Sequence, residues 1–519
     1  MDENEKRPPT IELPRSLWRC IASFLPVSII ESSKLYTLNR AFLEHYLKQK
    51  YHSTVLEYDE RLEAFVSPQG HSEALSLPIF AGALKTLNLD LSENIAMTNV
   101  FTDFVGLVLA RLCRKRRPPD VFAKLPERLA LMKHLTVIEY TITSRNLDPI
   151  LDFKKLFPLA LSKAFRASQN TLTRLSLTLN MITLPKLSLA GMTFPKLREF
   201  EFCFNPHGCV GKPCFKKLKK SIQVDLIPFV RNHRETITKL SIAFKQGSAD
   251  LGHHFLSNLP TFPSLCDLAI DLRLSRKYST SGLHTLLYVH AKRIERFELQ
   301  LGMENSECEF FPSHGSKGCQ CFGYWWRSQP FMGIEFPRLV SLRCHFDRYD
   351  DHELLLGYLG RIASGVKILD LRPRTRGHAS NPLRYEHLDT LTLGFIQHGI
   401  TNRLERLHME CQDLAPKTLK LLAARLPFLK YLYLSFQRVT MLEPELPLLG
   451  TLHRDPVQRA YRVFAGAPCL YWDLRTLALE DEVQSHPSHK PTLCKAAMKM
   501  ALPNLKTLRY LHHGVPISD

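Results

Sequence analysis

A chain of 519 residues is longer than one compact core usually grows, so it holds several domains or one elongated array. Its 45% hydrophobic and 23% charged residues exclude wholesale disorder. The formal charge of +19 allows acidic partners, but the basic residues are spread out, with dense runs only at Arg114-Lys-Arg-Arg117 and Lys216-Lys-Leu-Lys-Lys220. A basic surface without a dedicated nucleic-acid site is therefore expected.

Thirteen cysteines, an odd number scattered through a long chain, do not form the pattern of a secreted disulfide framework. The stretch Met1-Asp-Glu-Asn-Glu-Lys-Arg7 is charged and runs into prolines, so no secretory segment is expected there. The longest apolar run, near Val105–Leu112, is far shorter than the roughly 20 residues of a membrane span. These features predict a cytoplasmic or nuclear protein with no membrane partner.

In chain order, residues 1–9 are expected to be a disordered lead. Residues 10–52 carry three short helical patterns. Pro14 suits a first helical turn, where its missing N–H costs nothing. Leu17, Ile21, Phe24 and Leu25 then recur at helical spacing, and Pro26 closes the helix. A second stretch carries Ile29, Ile30, Leu35 and Leu38, and a third starts near Asn39 with Phe42, Leu43, Tyr46 and Leu47. A module of this size has little core of its own and is expected to dock exposed apolar residues on a partner.

The order Leu13-Pro14, Leu17, Ile21, Phe24-Leu25-Pro26, Leu35, Leu38, Arg40 and Phe42 resembles an F-box. Two positions depart from the usual pattern: Phe42 stands where Trp is common, and Ile29-Ile30 replaces an Asp-Leu-type start of the second helix. The resemblance implies that the module binds a Skp-type adaptor and through it a cullin. It further implies adaptor contacts by Leu13, Pro14, Leu17, Ile21, Leu25 and Leu38.

Beyond the module, Leu172-Thr-Arg-Leu175-Ser-Leu177-Thr-Leu-Asn180-Met-Ile182 fits L-x-x-L-x-L-x-x-N-x-L, with Ile in the last place. A short strand sends alternate side chains to one face, so Leu175 and Leu177 point inward together. Asn180 can then turn the chain, its side chain satisfying local backbone groups. One such unit cannot bury its apolar face alone and needs copies beside it. Copies start at Leu84, Leu135, Leu197, Ile237, Leu265, Ile294, Leu339, Val366, Leu388, Leu404, Leu429, Leu474 and Leu505. A Phe-Pro or Leu-Pro pair often precedes them, at Pro195, Pro263, Pro337, Pro427 and Pro503. Spacing is uneven and the Asn is mostly absent, so a regular asparagine ladder is not expected.

The predicted fold class is α/β: the helical module, then a leucine-rich-repeat solenoid over 53–515 with a curved parallel β-sheet inside and helices and loops outside. Inserted loops are expected near 203–220, 303–335 and 440–470, with 516–519 as a tail. The array resembles the irregular leucine-rich repeats that commonly follow an F-box.

Two Cys/His groups, Cys203-His207-Cys209-Cys214 and Cys308-His314-Cys319-Cys321, carry zinc-type ligands without paired CxxC spacing, so no metal is predicted. Gly208-Cys-Val-Gly211-Lys212-Pro213 lacks the glycine spacing and the Ser or Thr of a phosphate loop. No arrangement demands catalysis or a cofactor. The two resemblances together imply a non-catalytic substrate receptor of a Skp–cullin–F-box ubiquitin ligase, holding a target protein for degradation. Strand alternation assigns Ser176, Thr178, Glu201, Asp271, Glu298, His408, Glu410 and Tyr433 to the concave target-binding face. A repeat scaffold with no ligase role, contacting protein or nucleic acid, is the alternative.

Overall fold

The structure is a computed structural model. It describes residues 14–37, 40–50, 52–59, 64–66, 78–91, 127–142, 161–180, 187–205, 212–245, 248–275, 277–303, 329–346, 365–371, 383–439, 471–481, 504–512 and 515–516, with the single positions 183, 358, 359, 362, 469 and 502. Two compact units divide it, Met1–Thr236 and Ile237–Asp519.

The first unit opens with helices α1 (Arg15–Phe24), α2 (Val27–Ser32) and α3 (Arg40–Lys50). The second of the expected helical stretches is broken. Lys34 takes a left-handed φ of 52°, and Leu35–Thr37 forms a 3-10 turn. Trp18 meets Phe42 edge to face at 5.8 Å, and Phe42 is buried, so the aromatic at that position packs inside the module. Ala22, Ile30, Ala41, Tyr46 and Leu47 complete this small core.

Strands β1 (Ser53–Asp59), β2 (Ala64–Val66), β3 (Thr86–Leu91), β4 (Val137–Ile142), β5 (Arg174–Asn180) and β6 (Glu199–Asn205) follow. β1 and β3 to β6 pair in parallel, each rung beside the last, while β2 lies antiparallel on β1. Leu87, Ile138, Leu175 and Phe200 stand in register, and so do Leu89, Tyr140, Leu177 and Phe202. All are buried, each contributing roughly 1.5–3 kcal/mol of apolar burial. Asn180 turns the chain as predicted: its Oδ1 accepts from the Thr183 N–H at 3.2 Å and sits 3.1 Å from the Thr183 hydroxyl.

The second unit continues the pattern with β7 (Lys239–Phe244), β8 (Asp267–Leu274), β9 (Arg296–Met303), β10 (Ser341–Phe346), β11 (Ile368–Asp370), β12 (Arg406–Leu414), β13 (Tyr431–Val439), β14 (Thr476–Asp481) and β15 (Thr507–His512). These are parallel and in chain order, and β16 (Val515–Pro516) closes antiparallel on β15. Leu240, Leu268, Phe297, Leu342, Leu369, Leu407, Leu432 and Leu477 form its inner ladder. Spatial order equal to chain order, with a repeated apolar ladder, defines a leucine-rich-repeat solenoid of α/β class.

A backbone device stands where an asparagine ladder was not expected. The carbonyl just before each strand accepts two N–H groups from the next rung. Lys85 O takes Thr136 N and Val137 N at 2.8 and 3.1 Å, and Lys430 O takes Arg475 N and Thr476 N at 2.9 and 3.0 Å. The strand starts of each unit are thereby tied edge to edge without side chains.

The Phe-Pro turns have their own latch. Phe194 N–H donates to His233 Nε2 at 2.7 Å, and Phe262 N–H to His290 Nε2 at 3.5 Å. Each histidine ends the helical segment after the strand that its turn leads into.

Four expectations change. Leu388, Leu391 and Leu393 are not a strand: they lie in the helix Tyr385–Gln397, where Leu388, Leu391 and Phe395 share the buried stripe and Leu393 is exposed. Spacings of three and two fit a helix stripe as well as a repeat cassette, and this segment lacks the Phe-Pro lead. The loop expected near 203–220 contains the end of β6 and the helix Lys212–Ser221, which continues through a π segment, Ile222–Leu226, into the helix Ile227–Asn232. Part of the 303–335 loop is a 3-10 turn, Pro330–Gly333. The tail boundary is shifted, since β16 includes Pro516. The lead 1–9 and most of 303–328 and 440–470 lie outside the described residues.

Candidate functional site

On α1, Trp18 and Ala22 face the module's core, four residues apart. The stripe beside them, Leu17, Ile21 and Phe24, remains exposed at 48%, 36% and 80%. Ile29 at the start of α2 adds a fourth apolar side chain, 45% exposed. Of the predicted adaptor contacts, Leu17 and Ile21 lie on this stripe. Pro14 caps α1 in an extended conformation and is exposed, whereas Leu25 is half-buried and its N–H closes the helix on Ala22 O at 3.2 Å. Leu13 and Leu38 lie outside the described residues. Sequence reasoning left Phe24 and Ile29 off the contact set, although the four- and three-residue spacing of Leu17, Ile21 and Phe24 contains the signal.

The frame beneath the stripe is polar at its edges. Glu44 accepts from Arg19 Nη2 at 3.0 Å and from Arg40 Nε at 3.1 Å, and Glu31 pairs with Lys50. These exposed pairs orient α1 and α2 against α3 and contribute little stability.

The second surface is the strand face opposite the leucine ladder. In the first unit Asn88, Glu139, Ser176 and Glu201 form one row, and Thr141, Thr178 and Cys203 the next. Ser176 and Thr178 are half-buried here. Arg174 gathers three carboxylates, with Glu201 at 3.2 Å, Glu139 at 3.3 Å and Glu199 at 3.8 Å. Burial works against its charge, but Glu201 foremost outweighs that and raises its pKa.

In the second unit one row reads Ser241, Ala269, Glu298, Arg343, Asp370, His408, Tyr433 and Ala478. Arg343 spans its neighbours, reaching Asp370 at 2.9 Å and Glu298 at 3.7 Å. Asp370 also meets His408 Nδ1 at 3.3 Å, and the His408 ring lies 5.3 Å from Tyr431 and 5.6 Å from Tyr433. The predicted Glu298, His408 and Tyr433 are thus joined through Arg343 and Asp370, which sequence reasoning missed. Their alternation with Leu342, Cys344, Leu369 and Leu371 carries the same signal.

Three predicted face residues point to this side but offer little surface: Asp271, Glu410 and Tyr433 are 2%, 3% and 7% exposed. Asp271 is held by Lys245 Nζ at 2.6 Å. His345, next to this row, is pushed down to about 4 by burial first and then by the Arg273 and Arg343 charges.

Among the described residues no group of His, Cys, Asp and Glu could hold a metal ion; Cys203 is described, and His207, Cys209 and the second Cys/His group lie outside. No helix among them is long and apolar enough to cross a membrane.

These features define the class, a leucine-rich-repeat solenoid carrying an N-terminal helical module. No family model matches the chain, and no curated protein matches it. Among solved structures, a chain in the crystal structure of the Rad7 and Elc1 complex in yeast is similar. It is 15% identical, with a TM-score of 0.36 over 74% of this chain and 77% of that one.

Proposed function

We propose that this chain is the substrate-recognition subunit of a Skp–cullin–F-box ubiquitin ligase. Its α1–α3 module docks on a Skp-type adaptor, and through it on a cullin, while the repeats hold a target protein. The observation that carries the reading is the stripe of Leu17, Ile21 and Phe24, left at the surface of a module whose F-box-like residue order includes them. Clustered exposed apolar side chains on a small unit mark a surface that a partner covers. The receptor itself does no bond chemistry. It positions the target, and the strand face with its paired Glu298, Arg343, Asp370 and His408 is the surface for that task.

The test is co-purification with a Skp-type adaptor. Ile21→Asp with Phe24→Asp is expected to abolish capture while leaving the thermal unfolding profile unchanged, because both side chains already face solvent. Wild-type protein that captures no adaptor, or a double variant that captures it normally, would sink the reading.

A further inference from the structure

We propose that the strand-start edge of the second unit binds single-stranded nucleic acid. The turn before each of these strands presents two outward positions, three and one residues ahead of the strand, on either side of an apolar residue that is buried before β10 to β14 and half-buried before β15. Over six successive rungs, β10 to β15, these positions supply Arg338, Lys367, Arg403, Lys430, Arg475 and Lys506, one cation per rung. Rungs stand about 4.8 Å apart, so the cations form a line rather than a cluster. Carbonyls of Val340, Lys367, Glu405, Lys430 and Arg475 each accept two N–H groups from the next rung, which fixes the spacing in advance.

The line is incompletely neutralised. Glu405 lies 3.8 Å from Lys430, and Asp473 lies 3.5 Å from Arg475. Arg338, Lys367, Arg403 and Lys506 have no ion-pair partner among the described residues. On the strand face, in contrast, cations are matched across rungs by carboxylates.

Two exposed aromatic rings belong to the same turns, Phe428 three residues ahead of β13 and on the line, and Tyr471 five residues ahead of β14. Phe428 is 57% exposed before β13, and Tyr471 is 83% exposed before β14. A groove of about 310 Å³ opens beside Phe428, with Lys367, Arg403 and Lys430 on its walls together with the carboxylates of Glu405 and Asp473. A row of cations with exposed rings on neighbouring rungs suits a chain of phosphates whose bases are free to stack. A duplex keeps its base faces covered, so the rings favour a single strand. RNA and DNA share this chemistry.

The test uses the full chain and labelled oligothymidylate and oligouridylate of about 20 nucleotides, titrated by fluorescence anisotropy from about 50 to about 200 mM salt. Lys367→Glu with Arg403→Glu is expected to weaken binding at least tenfold and to flatten the slope of log affinity against log salt by about 1.4, two single-strand phosphate contacts. Phe428→Ala with Tyr471→Ala is expected to weaken it about fivefold or more at unchanged slope. Arg19→Glu with Arg40→Glu, the same charge change on the helical module, is expected to leave affinity within about twofold. Thermal unfolding of each variant checks its fold. Absence of wild-type binding at the lowest salt overturns the proposal, as does equal loss in the edge and control pairs. A silent aromatic pair, with polyglutamate competing as well as oligothymidylate, also overturns it and points to an acidic polypeptide. Preference for one oligonucleotide over the other identifies the source.

Discussion

His233 holds a turn shut through both ring nitrogens. Its Nδ1–H donates to Phe229 O at 2.7 Å, which leaves Nε2 as the acceptor for Phe194 N–H at 2.7 Å. The ring also packs 4.4 Å from Phe229 and 5.7 Å from Phe194, and the residue is 3% exposed. His233→Phe keeps most of the packing and leaves one buried amide without an acceptor, a cost of about 2 kcal/mol. His233→Ala also empties the space between the rings, for ~3 kcal/mol in all. Native-state hydrogen exchange at the Phe194 amide reads this directly: protection should drop about 30-fold in the first variant and about 150-fold in the second. The pH dependence adds an independent sign. Burial lowers the His233 pKa below its ordinary 6.5, against the raising effect of the Phe229 carbonyl. The unfolded chain therefore binds the proton more readily, so the contribution is complete above pH 6.5 and is lost as pH falls through the lowered folded value. Wild-type opening free energy at Phe194 should decline on acidification, and that of His233→Phe should not. Undiminished protection of the Phe194 amide in His233→Phe would refute the latch.

Burial pushes both His290 and His345 down to about 4, helped by Arg293 at the first and by Arg273 and Arg343 at the second. Each is expected to withdraw up to ~3 kcal/mol between pH 6.5 and 4, so the urea midpoint should fall across that window and fall less in His345→Gln. Lys245→Ala strands the Asp271 carboxylate, 2% exposed, whereas Asp271→Ala frees a lysine that can reach water. The lysine variant should be the more damaging of the two by roughly 1–2 kcal/mol in equilibrium unfolding, and the reverse order would contradict the burial argument. A Cβ on Gly282 would stand 2.6 Å from Ser257 N and Oγ, so Gly282→Ala is expected to lower stability by about 1–3 kcal/mol. An unchanged urea midpoint would mean that the helices Ser281–His290 and Ala249–Ser257 separate freely.

The cassette was legible because burial in a repeat is periodic. Leu175 and Leu177 occupy the same two positions on β5 as Leu407 and Met409 on β12, and neither pair needs long-range knowledge to be assigned inward. Leu388, Leu391 and Leu393 misled because six residues cannot separate a strand with alternate leucines from a helix with a leucine stripe. The predicted face residues alternate with the leucine ladder, but their exposure depends on neighbours one rung away. Asp271 is covered by a lysine one residue past the end of β7, a contact that no pattern within β8 reveals. The latches were illegible for the same reason: Phe194 and His233 lie 39 residues apart. A third member carries no histidine at all, since Trp472 Nε1–H donates to Leu426 O at 2.9 Å and ties the Leu-Pro turn before β13.

The net charge of +19 becomes informative only when it is divided by surface. On the strand face, register sets acids beside bases on adjacent rungs: Glu199 stands opposite Arg174 with Glu139 and Glu201 two residues along their strands, and Glu298 and Asp370 stand opposite Arg343. Cross-strand pairing of this kind satisfies the charges internally, stiffens the sheet and leaves specificity to shape and to the Tyr431–His408–Tyr433 group. At the strand-start edge Glu405 stands opposite Lys367 but pairs with Lys430, so Lys367 and Arg403 make no ion pair among the described residues and stay available to an anion. A partner protein read by shape and a polyanion held by charge would therefore use different sides of the same rungs. Neutralising the edge should leave binding of a protein target on the face intact, whereas Arg343→Ala, which removes the cation between Glu298 and Asp370, should disturb the face and leave the salt dependence of the edge unchanged.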